Sequence, residues 1–213
     1  SLIEEAITSS QLEGAVTARE VAREMIRSQR PAGDRSERMI LNNFMTMRRI
    51  TEVKEQPLTK ELLLDLHHRV TRNTLREAEL EGRFRVGDEP IDVSDYYGNT
   101  FHTPPPAEQL EERVAAMCDF ANGTNPKRFV HPVIRSIILH FWLAYDHPFV
   151  DGNGRTARAL FYWSMLHQGY WLCEYISISE VIRKAPAKYG RAFLYTETDD
   201  NDLTYFILYH LDV

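Results

Sequence analysis

Apolar residues recur along most of the chain at intervals of three and four, the spacing of one face of an α-helix. Met39, Ile40, Phe44, Met47 and Ile50 mark one such face, and Leu62, Leu63, Leu66 and Val70 a second. Leu110, Val114, Met117 and Ala121 mark a third, closed by Gly123. The most apolar stripe carries Ile134, Ile137, Ile138, Phe141, Trp142 and Tyr145. Pro132 suits its first helical position, and Pro148 prevents its continuation. Residues 1–13 predict an N-terminal helix with Gly14 as a left-handed stop. Thr17-Ala18-Arg19-Glu20 and Ser177-Ile178-Ser179-Glu180 have the form of capping boxes. The first opens a helix to about residue 29, before Pro31-Ala32-Gly33 breaks it. Further helices are expected over 154–169, 186–195 and from Leu203 onward, with Asn201-Asp202-Leu203-Thr204 as a helix start. No set of alternating strands appears. The pattern predicts one all-α domain.

Residues 80–106 break the periodicity. Glycines, aspartates and tyrosines follow in irregular order up to Phe101-His102-Thr103-Pro104-Pro105-Pro106, which reads as a long loop or a short hairpin. Long loops in compact domains are often functional. The chain of 213 residues is 43% hydrophobic and 26% charged, enough for a folded core and against disorder. A net charge of −6 argues against broad nucleic-acid binding, but a nucleotide needs only a local cluster of cations. The longest apolar run, 134–145, is interrupted by Arg135, Ser136 and His140, so no membrane span is expected. No secretory leader is visible. Cys118 and Cys173 match no metal or redox spacing and read as reduced core thiols of a cytoplasmic protein. The chain lacks an initiator Met, and its last helix has no terminal stop, so a longer native chain is expected.

The chemistry concentrates in His147-Pro148-Phe149-Val150-Asp151-Gly152-Asn153-Gly154-Arg155-Thr156-Ala157-Arg158. An apolar helix delivers a His at its end. Gly152 and Gly154 let the backbone turn and approach a ligand. The next helix then starts, with unpaired N–H groups and the positive end of its dipole facing outward, a ready anion site. Arg155 and Arg158 lie three apart in its first turn, against the usual dipole preference, which itself points to an expected anion. Asp151 offers a hard oxygen for Mg²⁺. Asn153 offers a donor for a phosphate oxygen. His147 is a base with an ordinary pKa near 6.5.

This stretch resembles the Fic motif, His-Pro-Phe-x-Asp/Glu-Gly-Asn-Gly-Arg-x-x-Arg, at all nine specified positions. The resemblance implies a Fic core over 59–213, with 1–58 as an N-terminal helical extension, and an all-helical fold with a short β-hairpin flap. It implies a protein adenylyltransferase that moves AMP from ATP to a Ser, Thr or Tyr hydroxyl of a target protein. His147 then deprotonates that hydroxyl. Asp151 holds Mg²⁺, and Gly152, Asn153 and Gly154 cradle the phosphates. Arg155 holds the phosphate chain and Arg158 the γ-phosphate. Other relatives transfer phosphate, UMP or phosphocholine. The retained Gly152 and Gly154 favour AMP.

Upstream, Ser9-Ser10-Gln11-Leu12-Glu13-Gly14 resembles the Ser/Thr-x-x-x-Glu-Gly/Asn pattern of autoinhibited Fic proteins with an N-terminal inhibitory helix. The resemblance implies that Glu13 pairs with Arg158 in the γ-phosphate's place, with Ser9 and Gly14 completing the inhibitory segment. The same Glu13 would serve a de-adenylylating or dual-function enzyme by orienting a water. The flap that docks the target's extended chain is expected within 96–103: Tyr96, Tyr97, Gly98, Asn99, Thr100, Phe101, His102 and Thr103. Tyr189 is the candidate aromatic for adenine. A homodimer is compatible with the helical surfaces. Two other readings compete: a non-catalytic regulatory module, and a metallohydrolase using His140, His147 and Asp151. The first leaves His147 and Asp151 without a purpose, and the second lacks a closed ligand set.

Overall fold

The computed structural model describes residues 1–87, 89, 91, 93–94, 100–124 and 129–213. Among them the helical stripes become ten α-helices, and the fold is all-α. At its centre lies α7 (Asn153–His167), with 13 of its 15 residues buried. A helix buried all round must be covered on every side. The apolar α6 (Pro132–Asp146) packs along it, with α3 (Arg35–Val53) and α4 (Lys60–Thr71) on other faces. Helix α1 (Leu2–Leu12) lies across α3 and against α8 (Ile178–Lys184), and also touches α7. The main core runs from Met47 and Leu66 through Leu143, Phe149 and Trp163 to Phe206. A smaller cluster, including Ile7, Met25 and Ile40, joins α1, α2 (Arg19–Ser28) and α3.

Local chemistry sets several helix ends. Asp34 accepts from the Glu37 amide and opens α3, and Thr59 accepts from the Leu62 amide and opens α4. Ser177 likewise caps α8 through the Glu180 amide. Gly14 and Gly123 take the left-handed conformation expected of stops. The capping box at Thr17 does not form. Helix α2 starts at Arg19 after an extended Ala18, with no side-chain cap. Thr17 thus stands one position too early, and its buried hydroxyl has no partner. Glu4 of α1 anchors this helix start instead, bound to Arg19 and Arg23.

The irregular segment contains an antiparallel hairpin of β1 (Val93–Ser94) and β2 (Thr100–His102), with Val93 opposite His102 and Ser94 opposite Thr100 across a bulge. The hairpin therefore begins before the expected 96–103. Tyr96, Tyr97, Gly98 and Asn99 lie outside the described residues. Helices α5 (Leu110–Asn122), α9 (Pro186–Glu197) and α10 (Thr204–Leu211) complete the domain. Both cysteines are free, with Cys173 buried and Cys118 half-buried. Among the described residues, no helix is long and apolar enough to cross a membrane.

Candidate active site

The turn from α6 to α7 builds the site. His147 ends α6 in the left-handed region at φ 44°, and Pro148 forbids another helical turn. Gly152 precedes α7 at φ 87°, where a Cβ would also lie 2.6 Å from Thr71 Cγ2. Two separate constraints thus demand glycine there. Asn153 differs from expectation. Its Oδ1 accepts from the Phe149 amide at 3.0 Å, and its Nδ2 donates to the Phe149 carbonyl at 2.7 Å. This buried amide locks the turn rather than offering itself to a phosphate. The Gly152 amide is also taken, donating to Asp151 Oδ1.

Beneath the turn lies His67 of α4, which the sequence reading passed over. Its ring stacks on Phe149 with centroids 3.7 Å apart. The Gly82 amide donates to its Nδ1, so the proton sits on Nε2, which donates to the Asp151 carbonyl at 2.9 Å. Burial pulls its pKa down to about 4, and the ring stays neutral. The signal was present: position 67 shares the buried stripe of Leu63, Leu66 and Val70.

His147 faces a cavity of about 570 Å³ that Glu13, His102, Gly154, Arg158, Tyr189 and Glu197 also line. Its Nδ1 lies 3.1 Å from the Ala144 carbonyl, which only accepts. Nδ1 therefore carries the proton, and Nε2 keeps its lone pair. Burial lowers its pKa, so the neutral form is favoured. That is the state a general base requires.

The two arginines diverge. Arg158, only 2% exposed, donates from Nη2 to Glu13 Oε1 at 2.7 Å and to the Ser9 carbonyl at 3.0 Å. Its Nε donates to Ser9 Oγ at 2.7 Å. Burial opposes its charge, but Glu13, Tyr189 and Glu5 together outweigh burial and its pKa is raised. Gly154 makes this approach feasible, because a Cβ there would overlap the Glu13 carboxylate. Gly14 follows at φ 89°, turning the chain away. Arg155 instead points toward α4, donating from Nη1 to the Val70 carbonyl at 3.1 Å. Its Nε and Nη2 are buried without hydrogen-bond partners, and Nη2 lies 3.6 Å from Asp151 Oδ1.

Asp151 is half exposed, and its Oδ2 lies 3.7 Å from Arg35 Nη2. One accessible carboxylate suits Mg²⁺, which keeps waters and takes phosphate oxygens as its other ligands. No group of three or more His, Cys, Asp or Glu side chains that could hold a metal ion occurs among the described residues. His140 does not join Asp151. It is buried, and its Nε2 meets the Tyr189 hydroxyl at 2.8 Å. Tyr189 thus differs from a free stacking platform: its hydroxyl is committed to the interior, while the residue lines the cavity.

The hairpin is fastened by His102. Its Nδ1 meets Glu197 Oε2 at 2.7 Å, and its Nε2 meets the Tyr145 carbonyl at 2.6 Å. Both partners accept, so both ring nitrogens carry protons and His102 is an imidazolium. Burial opposes this, but Glu197 and the carbonyl outweigh it and raise the pKa.

Sequence reasoning also missed Glu5. It is 1% exposed on α1, and it accepts from the Tyr162 and Ser177 hydroxyls and from both the amide and hydroxyl of Ser179. These contacts tie the helix carrying Ser9 to α7 and α8.

The sequence model of the Fic/DOC family matches residues 57–165, more than half of the chain. The chain belongs to the Fic/DOC family. This Fic domain is 34% identical over 118 residues to the protein adenylyltransferase Fic of Nematostella vectensis, covering 55% of this chain and 25% of that one. It is 32% identical over 108 residues to the protein adenylyltransferase fic-1 of Caenorhabditis elegans, covering 51% and 19%. The chain therefore spans about a quarter or less of these curated relatives. Its fold matches the crystal structure of a Fic family protein from Desulfovibrio desulfuricans, with TM-score 0.80, 26% identity, and 99% of this chain and 61% of that one covered. A Fic-domain signaling protein from Bacteroides thetaiotaomicron shares the fold, with TM-score 0.79 and 21% identity, covering 97% and 80%.

Proposed function

We propose that this domain is a protein adenylyltransferase whose basal activity is held down by Glu13. Residues 59–213 form the catalytic core, and 1–58 form a regulatory extension. The observation that carries the reading is the Glu13–Arg158 pair inside a complete motif. Arg158 is the motif arginine that lines the cavity, and a carboxylate already occupies it. An anion competing for the same guanidinium must displace Glu13 or bind out of place. A displacement of about 1 Å is worth a factor of about a hundred in rate.

In the active state, His147 Nε2 takes the proton of a target Ser, Thr or Tyr hydroxyl. The hydroxyl oxygen bonds to the α-phosphorus of ATP, the bond from that phosphorus to the β-bridging oxygen breaks, and pyrophosphate leaves. Arg158 balances the terminal phosphate charge, and the buried, unpartnered Nη2 of Arg155 lies 3.6 Å from Asp151 Oδ1. Mg²⁺ at Asp151 would supply neutralising charge to the phosphates. The hairpin fastened by His102 borders the same cavity and supports docking of an extended target chain.

A second reading uses the same groups in reverse. Glu13 lines the cavity with His147 and its side chain is 30% exposed, so it is placed to orient a water for removing AMP from a modified protein. Transfer of the α-label of ATP to protein, by Glu13→Gly with Mg²⁺, tests the first reading. Release of AMP from a pre-modified target by wild type, lost in Glu13→Gly, marks the second.

A further inference from the structure

A helix ends with carbonyl groups that have no helical N–H partner, and buried ones must find another donor. Around the end of α6 every one can be traced. The Leu143 carbonyl takes the His147 amide, Ala144 takes the His147 ring, and Tyr145 takes His102. The next three all depend on Arg85, a residue 6% exposed and 62 positions upstream of His147. Its Nε donates to the His147 carbonyl at 2.8 Å, its Nη2 reaches the Asp146 carbonyl at 3.3 Å, and its amide donates to the Pro148 carbonyl at 2.9 Å. The same Nη2 donates to the Pro105 carbonyl, just after the hairpin, at 2.5 Å.

We propose that Arg85 is a positioning residue for the transfer: its guanidinium fixes the backbone of the catalytic turn, and so the direction in which His147 faces the cavity, and ties that turn to the base of the hairpin. The inference rests on the adenylyltransferase reading above. Arg85 forms no ion pair among the described residues, and burial pulls its pKa down. A buried arginine bound only to backbone is an unusual expenditure of charge. Its planar fork explains the choice, since one side chain reaches three carbonyls in fixed directions. Its charge also opposes protonation of His147. A cation at this helix end further complements the negative end of the α6 dipole.

The test uses Arg85→Lys and Arg85→Ala in the Glu13→Gly background. The readouts are single-turnover transfer, KM for ATP, and NMR titration of the His147 ring. Both variants are expected to lose about a hundredfold in transfer with KM for ATP unchanged. In Arg85→Ala the His147 midpoint moves up, and added guanidinium ion restores part of the rate. In Arg85→Lys, which keeps charge and bulk, the midpoint stays while the rate still falls. Undiminished transfer by folded Arg85→Lys would overturn the proposal, as would a loss that appears only in KM for ATP with the single-turnover rate unchanged. If the Glu13→Gly parent itself transfers no label, the adenylyltransferase reading fails, and unshifted NMR signals of the His147 ring and of the turn backbone in Arg85→Lys would then overturn the positioning role on their own.

Discussion

Glu5→Gln should release the brake without touching it. The wild-type carboxylate is buried and accepts four hydrogen bonds, two of them from Ser179 at the start of α8. A glutamine keeps one acceptor oxygen for the three donors that meet Glu5 Oε2, and its NH₂ donates to Ser179 Oγ, whose own proton must turn away. The Ser179 hydroxyl loses its carboxylate acceptor, and the remaining bonds lose their charge assistance. At about 1.5–3 kcal/mol for a bond to a charged group, the docking of α1 weakens by about that amount. With a tenfold change for each 1.4 kcal/mol, the undocked fraction of α1 rises roughly 10- to 140-fold. Transfer of α-labelled phosphate should therefore rise in Glu5→Gln, together with proteolytic sensitivity of the first helix. In the Glu13→Gly background the same substitution should add nothing to transfer, because no brake remains to release. A folded Glu5→Gln protein with protease-resistant α1 and unchanged low transfer would refute the reasoning. So would an equal gain in both backgrounds.

Gly154→Ala places a methyl group against the Glu13 carboxylate and 3.2 Å from Arg158 Nη1. Thermal unfolding should show a lower Tm in the wild-type background and a smaller loss in Glu13→Gly, where the main clash is gone. His67 makes stability depend on acid. Its pKa is 6.5 unperturbed and about 4 when folded, so between these values the unfolded chain binds the extra proton. Stability contributed by keeping this ring neutral is present above pH 6.5 and lost as pH falls toward 4, on the order of 3 kcal/mol across the window. Urea unfolding at stepped pH should show that slope, flattened in His67→Asn; a flat wild-type curve would contradict it. Because burial also lowers the pKa of His147, transfer by Glu13→Gly should persist below pH 6.5 before its acidic limb falls.

The helices were legible because the contacts that stabilise them repeat at the helical period. Leu62, Leu63, Leu66 and Val70 all end in the core, as do Val114 and Met117. The turn from α6 to α7 was legible for another reason: its residues are contiguous, so the motif can be read without a fold. What failed depended on distant partners. Thr17 has the right form for a cap, but Glu4 grips Arg19 and Arg23 from another helix. Glu5, His67 and Arg85 act on residues far along the chain, and each looks in sequence like an ordinary polar position. Asn153 was misread because its amide suits a phosphate as well as a backbone, and only the closed geometry of the turn decides. The hairpin was legible as a break in periodicity, but its start at Val93 is set by pairing with His102.

The central claim joins His147 as base and Glu13 as brake, and one comparison addresses both. Wild type, Glu13→Gly, and Glu13→Gly with His147→Ala are incubated with Mg²⁺ and ATP labelled at the α-phosphate. Label on protein is then read on a gel, for the protein itself and for a lysate. The account predicts faint transfer by wild type, strong transfer by Glu13→Gly, and none above background in the double variant. Transfer by wild type as strong as by Glu13→Gly would contradict the brake, and undiminished transfer by the double variant would contradict the base.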